Sequence, residues 1–134
     1  MKAIQIPRTI VNQLLTQAQG HADIEVCGLI SATNGQPAKV YPVDNISSDK
    51  QHLFEMDPKK QIQAMKAMRE NNEQLFAIYH SHPDTGAEPS LKDIAQSSYP
   101  DTLYLIISLS TKGVLQIKGF YIRDHDSEAV ELII

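Results

Sequence analysis

Between residues 7 and 19 apolar side chains recur at helical spacing: Ile10, Val11, Leu14, Leu15 and Ala18 share one face. Pro7 suits the first turn of that helix and Gly20 the position just past its end. A nearly continuous apolar run, IEVCGLISA over residues 24–32, predicts a buried strand. Asn34 and Gly35 form a strong two-residue turn signal, and residues 37–43 predict the returning strand of a hairpin. A loop of Asp, Asn and Ser follows over residues 44–50, then a short strand over 52–56. A second helix starts there, with Asp57 as its cap, Pro58 at its first position, and Ile62, Met65 and Met68 as its inner stripe.

Residues 75–80 (LFAIYH) predict a strand buried on both faces, ended by a loop containing Pro83, Gly86 and Pro89. Ser90 opens a short helix that runs to about residue 98. Residues 103–109 and 114–122 predict two more strands, and 129–134 the last. Strands interleaved with helices in this way predict an α/β (α+β) single domain over 1–134, with a mixed central sheet flanked by helices.

Composition narrows the class. At 134 residues the chain has the size of one domain, 42% of it is hydrophobic and 21% charged, so nothing argues for disorder. The net charge is −4 and the cations are scattered. Lys59, Lys60, Lys66 and Arg69 alternate with apolar positions as a solvated helix face does, which argues against a nucleic-acid partner. Cys27 is the single cysteine, so no intrachain disulfide can form. Pro7, Asn12 and Gln13 interrupt any leader-like apolar run, and no stretch approaches the ~20 apolar residues of a membrane span. The expected location is the cytoplasm, without membrane contact.

The chemistry gathers in one segment. His80 and His82 lie two apart near a strand end, so both imidazoles face one side with Cα atoms roughly 7 Å apart, close enough to share one ion. Asp93 falls one turn into the following helix. Two imidazoles and a carboxylate suit Zn²⁺, and three protein ligands leave the open position of a catalytic site. Each half has an ordinary explanation. An isolated His-x-His is more often surface or core than ligand, and Ser90 to Asp93 reads as a capping box. The combined spacing, His-x-His-x10-Asp, is harder to explain as an accident.

With Glu25 and Ser90 added, the run HSHPDTGAEPSLKD resembles the signature of the JAMM (MPN-type) metallopeptidases, Glu … His-x-His-x7-Ser-x2-Asp, at every position. Residues 25–30 (EVCGLI) resemble the Glu-containing strand of that family. Asp44 with Asn45, and Met56 with Asp57 and Pro58, are similar to features of its compact prokaryotic members. The similarity spans roughly residues 3–123; Ser31, where relatives often carry Gly, is a minor departure. The resemblance implies a JAMM fold akin to the cytidine deaminases, and one Zn²⁺ per chain held by His80, His82 and Asp93. It implies Glu25 as the group that takes the proton of the attacking water, and Ser90 as donor to the oxyanion. Capping through an oxygen lone pair leaves Ser90 free for both roles.

Ser81 alternates away from the metal face and reads as structural. Cys27, two residues from Glu25, reads as a small buried hydrophobe on the same strand face. His21, His52 and His125 lack partners at ligand spacing, and Asp84 and Glu88 read as solvated or substrate-facing. The resemblance further implies cleavage beside the C-terminus of a small ubiquitin-like, sulfur-carrier type protein with a Gly-Gly tail, the tail adding a strand to a sheet edge. Two other readings stay open: a zinc amidase acting on cell-wall peptides, and a non-catalytic MPN-type binding module. The oligomeric state is also open, a homodimer included.

Overall fold

The computed structural model describes residues 3–111 and 114–134. Its elements are β1 (Ala3–Gln5), α1 (Arg8–Gly20), β2 (Cys27–Thr33), β3 (Gln36–Val43), α2 (Pro58–Glu70), β4 (Gln74–His82), α3 (Leu91–Gln96), β5 (Leu103–Thr111), β6 (Val114–Arg123) and β7 (Asp126–Ile133). The strands form one seven-stranded sheet in the order β1-β7-β6-β5-β4-β2-β3. β1 pairs with β7, and β4 with β5, in parallel; the other neighbours are antiparallel. The expected mixed sheet flanked by helices is the observed architecture. Among the described residues no helix is long and apolar enough to cross a membrane.

Alternation along the central strands builds two cores. Ala77 and Tyr79 of β4, with Leu103, Leu105 and Ile107 of β5, face α1, which contributes Ile10, Val11, Leu14 and Ala18. Ile78 of β4, with Tyr104 and Ile106 of β5, faces α2, which contributes Ala64 and Met68. Each such aliphatic side chain stabilises the fold by roughly 1.5–3 kcal/mol when fully buried. Asn34 and Gly35 turn the β2–β3 hairpin with φ of 51° and 79°, the positive pair that a type I′ turn needs. Gly28 is small for a different reason: a Cβ there would sit 2.5 Å from Tyr79 Oη and 2.6 Å from the Tyr41 carbonyl oxygen.

Four expectations need correction. The strand expected over 24–32 begins only at Cys27, which leaves Glu25 in coil. No strand forms over 52–56; one isolated bridge, Asn45 with Met56, replaces it. Ile62 is 65% exposed and drops out of the inner stripe of α2, which keeps Met65 and Met68 and gains Ala64. A three-residue β1, too short for periodicity to reveal, adds an edge strand. The remaining differences are at ends. Pro7 is the N-cap of α1, Gly20 its last residue, α3 stops at Gln96, and β7 starts three residues early.

Candidate metal centre

β4 carries its two histidines to the end of the strand. His80 sits opposite Cys27 on β2 and Ile106 on β5, and His82 opposite Ser108. Alternation places both imidazoles on the α2 side, in line with Ile78, at the rim of the second core. α3 then brings Asp93 over them. Ser90 caps this helix: its Oγ accepts from the Asp93 N–H at 3.0 Å, while Asp93 Oδ2 accepts from the Ser90 N–H at 2.9 Å. The capping box and the ligand spacing thus meet in Asp93, because the cap fixes where its carboxylate points.

Three donor atoms converge. Asp93 Oδ2 lies 3.0 Å from His80 Nε2 and 3.0 Å from His82 Nε2, and the two nitrogens are 3.1 Å apart. Glu25 joins them, with one donor atom from each of the four residues inside 4.8 Å of all the others. Zinc–ligand bonds of about 2.0–2.1 Å at tetrahedral angles require donor separations of about 3.3–3.4 Å. The observed triangle fits such an ion after shifts of a few tenths of an ångström. The donor chemistry fits as well. His82 Nδ1 lies 2.7 Å from the Gly86 carbonyl oxygen, which only accepts, so Nδ1 carries the hydrogen and neutral His82 presents a lone pair at Nε2. Ser108 Oγ donates to the Thr85 carbonyl at 2.6 Å and anchors the loop that supplies Gly86.

His80 is oriented differently. Its Nδ1 is buried without a hydrogen-bond partner among the described residues, and its ring stacks on Phe54 at 4.4 Å between centroids. The electrostatics follow from burial and crowding. Burial lowers the His80 pKa below the ordinary imidazole value, against the pull of Asp93. Burial works the same way on His82, but Asp93, the Gly86 carbonyl and Glu25 together raise it. Asp93 resists desolvation because both imidazoles hold its carboxyl well below the usual carboxylate range. Burial pushes Glu25 up to about 8, with His82 opposing and Asp93 reinforcing the shift, and its Oε1 has no hydrogen-bond partner among the described residues.

The structure therefore brings Glu25, His80, His82 and Asp93 together, with Ser90 bonded to the last. Ser81 faces the other way and is buried, its Oγ accepting from the Val26 N–H at 2.9 Å. Cys27 is on the His80 side by register, yet its thiol donates to the Val43 carbonyl at 3.3 Å and burial pushes its pKa up to about 12. His52 pairs with Asp49, Asp84 accepts from Gln51, and Glu88 pairs with Lys118; none of them joins the cluster. Sequence reasoning missed Phe54, which sits in the segment expected to be a strand. A cavity of about 30 Å³ bordered by Phe54, His80 and Asp93 shares Phe54, Gln96 and Tyr104 with a cleft of about 440 Å³.

Comparison with known proteins adds an independent line. The model of a family described as prokaryotic homologs of the JAB domain matches residues 7–118. A desampylase of Haloferax volcanii is 28% identical over 102 residues, 75% of this chain and 73% of that protein. A CysO-cysteine peptidase of Mycobacterium bovis is 26% identical over 117 residues, 86% of this chain and 80% of that protein. A Desulfitobacterium hafniense protein solved in solution has a TM-score of 0.84 and 32% sequence identity, across 99% of this chain and 92% of that one.

Proposed function

Because the chain belongs to the family of prokaryotic homologs of the JAB domain, we propose that it is a zinc peptidase that hydrolyses an amide or isopeptide bond beside the C-terminus of a ubiquitin-like, sulfur-carrier type protein. The observation that carries this reading is the triangle of His80, His82 and Asp93 donor atoms with the buried carboxyl of Glu25 beside it, its Oε1 without a partner among the described residues. A structural zinc site would close with a fourth ligand; here the fourth group is a carboxyl with its own chemistry. The names of two relatives, a desampylase and a CysO-cysteine peptidase, support a small protein-conjugate substrate, and the Gly-Gly tail is part of the proposal. The reaction is assigned to the cytoplasm, where the free, buried Cys27 stays reduced.

His80, His82 and Asp93 would hold one Zn²⁺, which supplies Lewis acidity: it polarises a carbonyl and lowers the pKa of water from 15.7 to about 7. Glu25 takes the proton of the attacking water and delivers it to the leaving amine. Burial raises its pKa in the metal-free chain and a neighbouring Zn²⁺ would draw it down again, toward the working pH where an acid–base group is most effective. Ser90 uses a lone pair of Oγ for the cap of α3, so its O–H remains free to donate to the oxyanion. Burial of the two histidines excludes bulk water from the rear of the site and strengthens these interactions.

The test pairs composition with activity. After zinc reconstitution and dialysis, wild type should hold about one zinc per chain and cleave a Gly-Gly-linked ubiquitin-like fusion. His82→Ala and Asp93→Ala should lose both metal and turnover, and Glu25→Gln should keep the metal and lose turnover. Zinc loss in Glu25→Gln, or turnover retained in any of the three, overturns the assignment.

A further inference from the structure

The segment between β3 and α2 has no role in the mechanism above, yet it is built around Glu25. Its neck is closed by the Asn45–Met56 bridge, with the Ile46 N–H donating to the Glu55 carbonyl at 2.8 Å and the Asp57 N–H to the Asp44 carbonyl at 3.0 Å. The Asn45 side chain, in a residue only 8% exposed, fills the interior. Its Oδ1 accepts from the N–H groups of Ser47 at 2.9 Å and Glu55 at 3.1 Å. Its Nδ2 donates to the carbonyls of Leu53 at 3.0 Å and Glu25 at 2.8 Å. All four hydrogen-bonding positions of the amide are used, so a flipped amide would set donors against donors and acceptors against acceptors. Farther round the loop, the Lys50 carbonyl accepts the Glu25 N–H at 2.7 Å.

Glu25 lies in coil between α1 and β2, so no sheet ladder holds its peptide groups. Both are held by this one loop instead, the N–H at Lys50 and the carbonyl at Asn45. We propose that Asn45 is the positioning residue for Glu25, locking the loop and the Glu25 backbone into one unit. The inference rests on the reading of Glu25 as the proton carrier. Asn has the required set at the required reach: Gln carries its amide one methylene farther out, Asp has no donor for the Glu25 and Leu53 carbonyls, and Ser has only one.

The experiment uses Asn45→Asp in the full chain. The substitution keeps shape and both acceptor contacts, and sets a carboxylate oxygen against the two carbonyls. With zinc loaded and a Gly-Gly-linked fusion as substrate, kcat should fall about 10- to 100-fold while KM moves by less than about threefold and zinc stays near one per chain. Hydrogen exchange at the Glu25 amide, read by NMR without reference to turnover, should accelerate by about tenfold or more. Asn45→Ser should be intermediate in both readouts, and it carries both if Asn45→Asp does not fold. Unchanged kcat, a rise in KM alone, loss of zinc, or a slower enzyme with unchanged Glu25 exchange each overturns the proposal. A wild type that cleaves no such fusion refutes the functional reading instead, while the exchange comparison still decides whether Asn45 holds Glu25.

Discussion

Zinc-free protein should lose stability as pH rises through neutrality, and Glu25 should account for the slope. The residue is 4% exposed, and burial moves its pKa from the ordinary 4.5 to about 8. Between those values the folded chain keeps a proton on Glu25 that the unfolded chain has released. Stability then falls with pH by about 1.4 kcal/mol for each pH unit that lies well inside the window. Below 4.5 both states are protonated and above 8 both are ionised, so the slope vanishes outside it. The full drop, about 5 kcal/mol, rivals the 5–15 kcal/mol that holds a typical domain together. Asp93 acts on the other side: its lowered pKa contributes stability that is lost only as pH falls below the ordinary 3.8. The assay is urea unfolding in excess chelator from pH 4.5 to 9, on wild type and Glu25→Gln. Subtracting the two cancels groups common to both and leaves the Glu25 contribution. The Gln variant should be the more stable at high pH, by a margin that grows from pH 5 to 8 and then levels. A margin that stays constant over that range refutes the argument that desolvation dominates this carboxyl. Zinc, a cation beside the carboxyl, should favour the ionised form and flatten the wild-type curve.

Other changes read other parts of the molecule. Ser90→Ala removes the α3 cap and the proposed oxyanion donor together: unfolding experiments should show a loss of about 1 kcal/mol, and steady-state kinetics a kcat about 100-fold lower, with zinc retained. Gly28→Ala forces a Cβ to 2.6 Å from the Tyr41 carbonyl oxygen, and denaturant titration should show a cost of about 1–3 kcal/mol or failure to fold. Ser81→Ala orphans the buried Val26 N–H at a cost of about 1–3 kcal/mol, with zinc stoichiometry by elemental analysis unchanged.

Legibility in the sequence tracked whether a residue's surroundings are local. His80 and His82 could be read because strand alternation fixes their common side, and Asp93 because a helix cap fixes its own N3 residue. The helix Arg8–Gly20 and the Asn34–Gly35 hairpin were legible for the same reason. Glu25 could be identified only by resemblance. Its run of apolar neighbours reads as strand, but its N–H and carbonyl are claimed by Lys50 and Asn45, far along the chain, and the ladder starts two residues later. The absent strand over 52–56 has the same cause: Leu53 and Glu55 give their backbone groups to the Asn45 amide instead of to a sheet edge. Ile62 misled because an apolar residue at helical spacing reads as core, although α2 turns Ala64 inward and leaves Ile62 in solvent. Both halves of the site thus obey ordinary physics but at different range. The proposed metal ligands sit on elements that local sequence signals specify, whereas the proposed proton carrier sits on coil and depends on a loop closed by one side chain. A coil-borne acid–base group gains precise placement only from such long-range hydrogen bonds, so the Asn45 amide, rather than Phe54 stacked on His80, is where substitutions in this loop should slow the reaction without touching the metal.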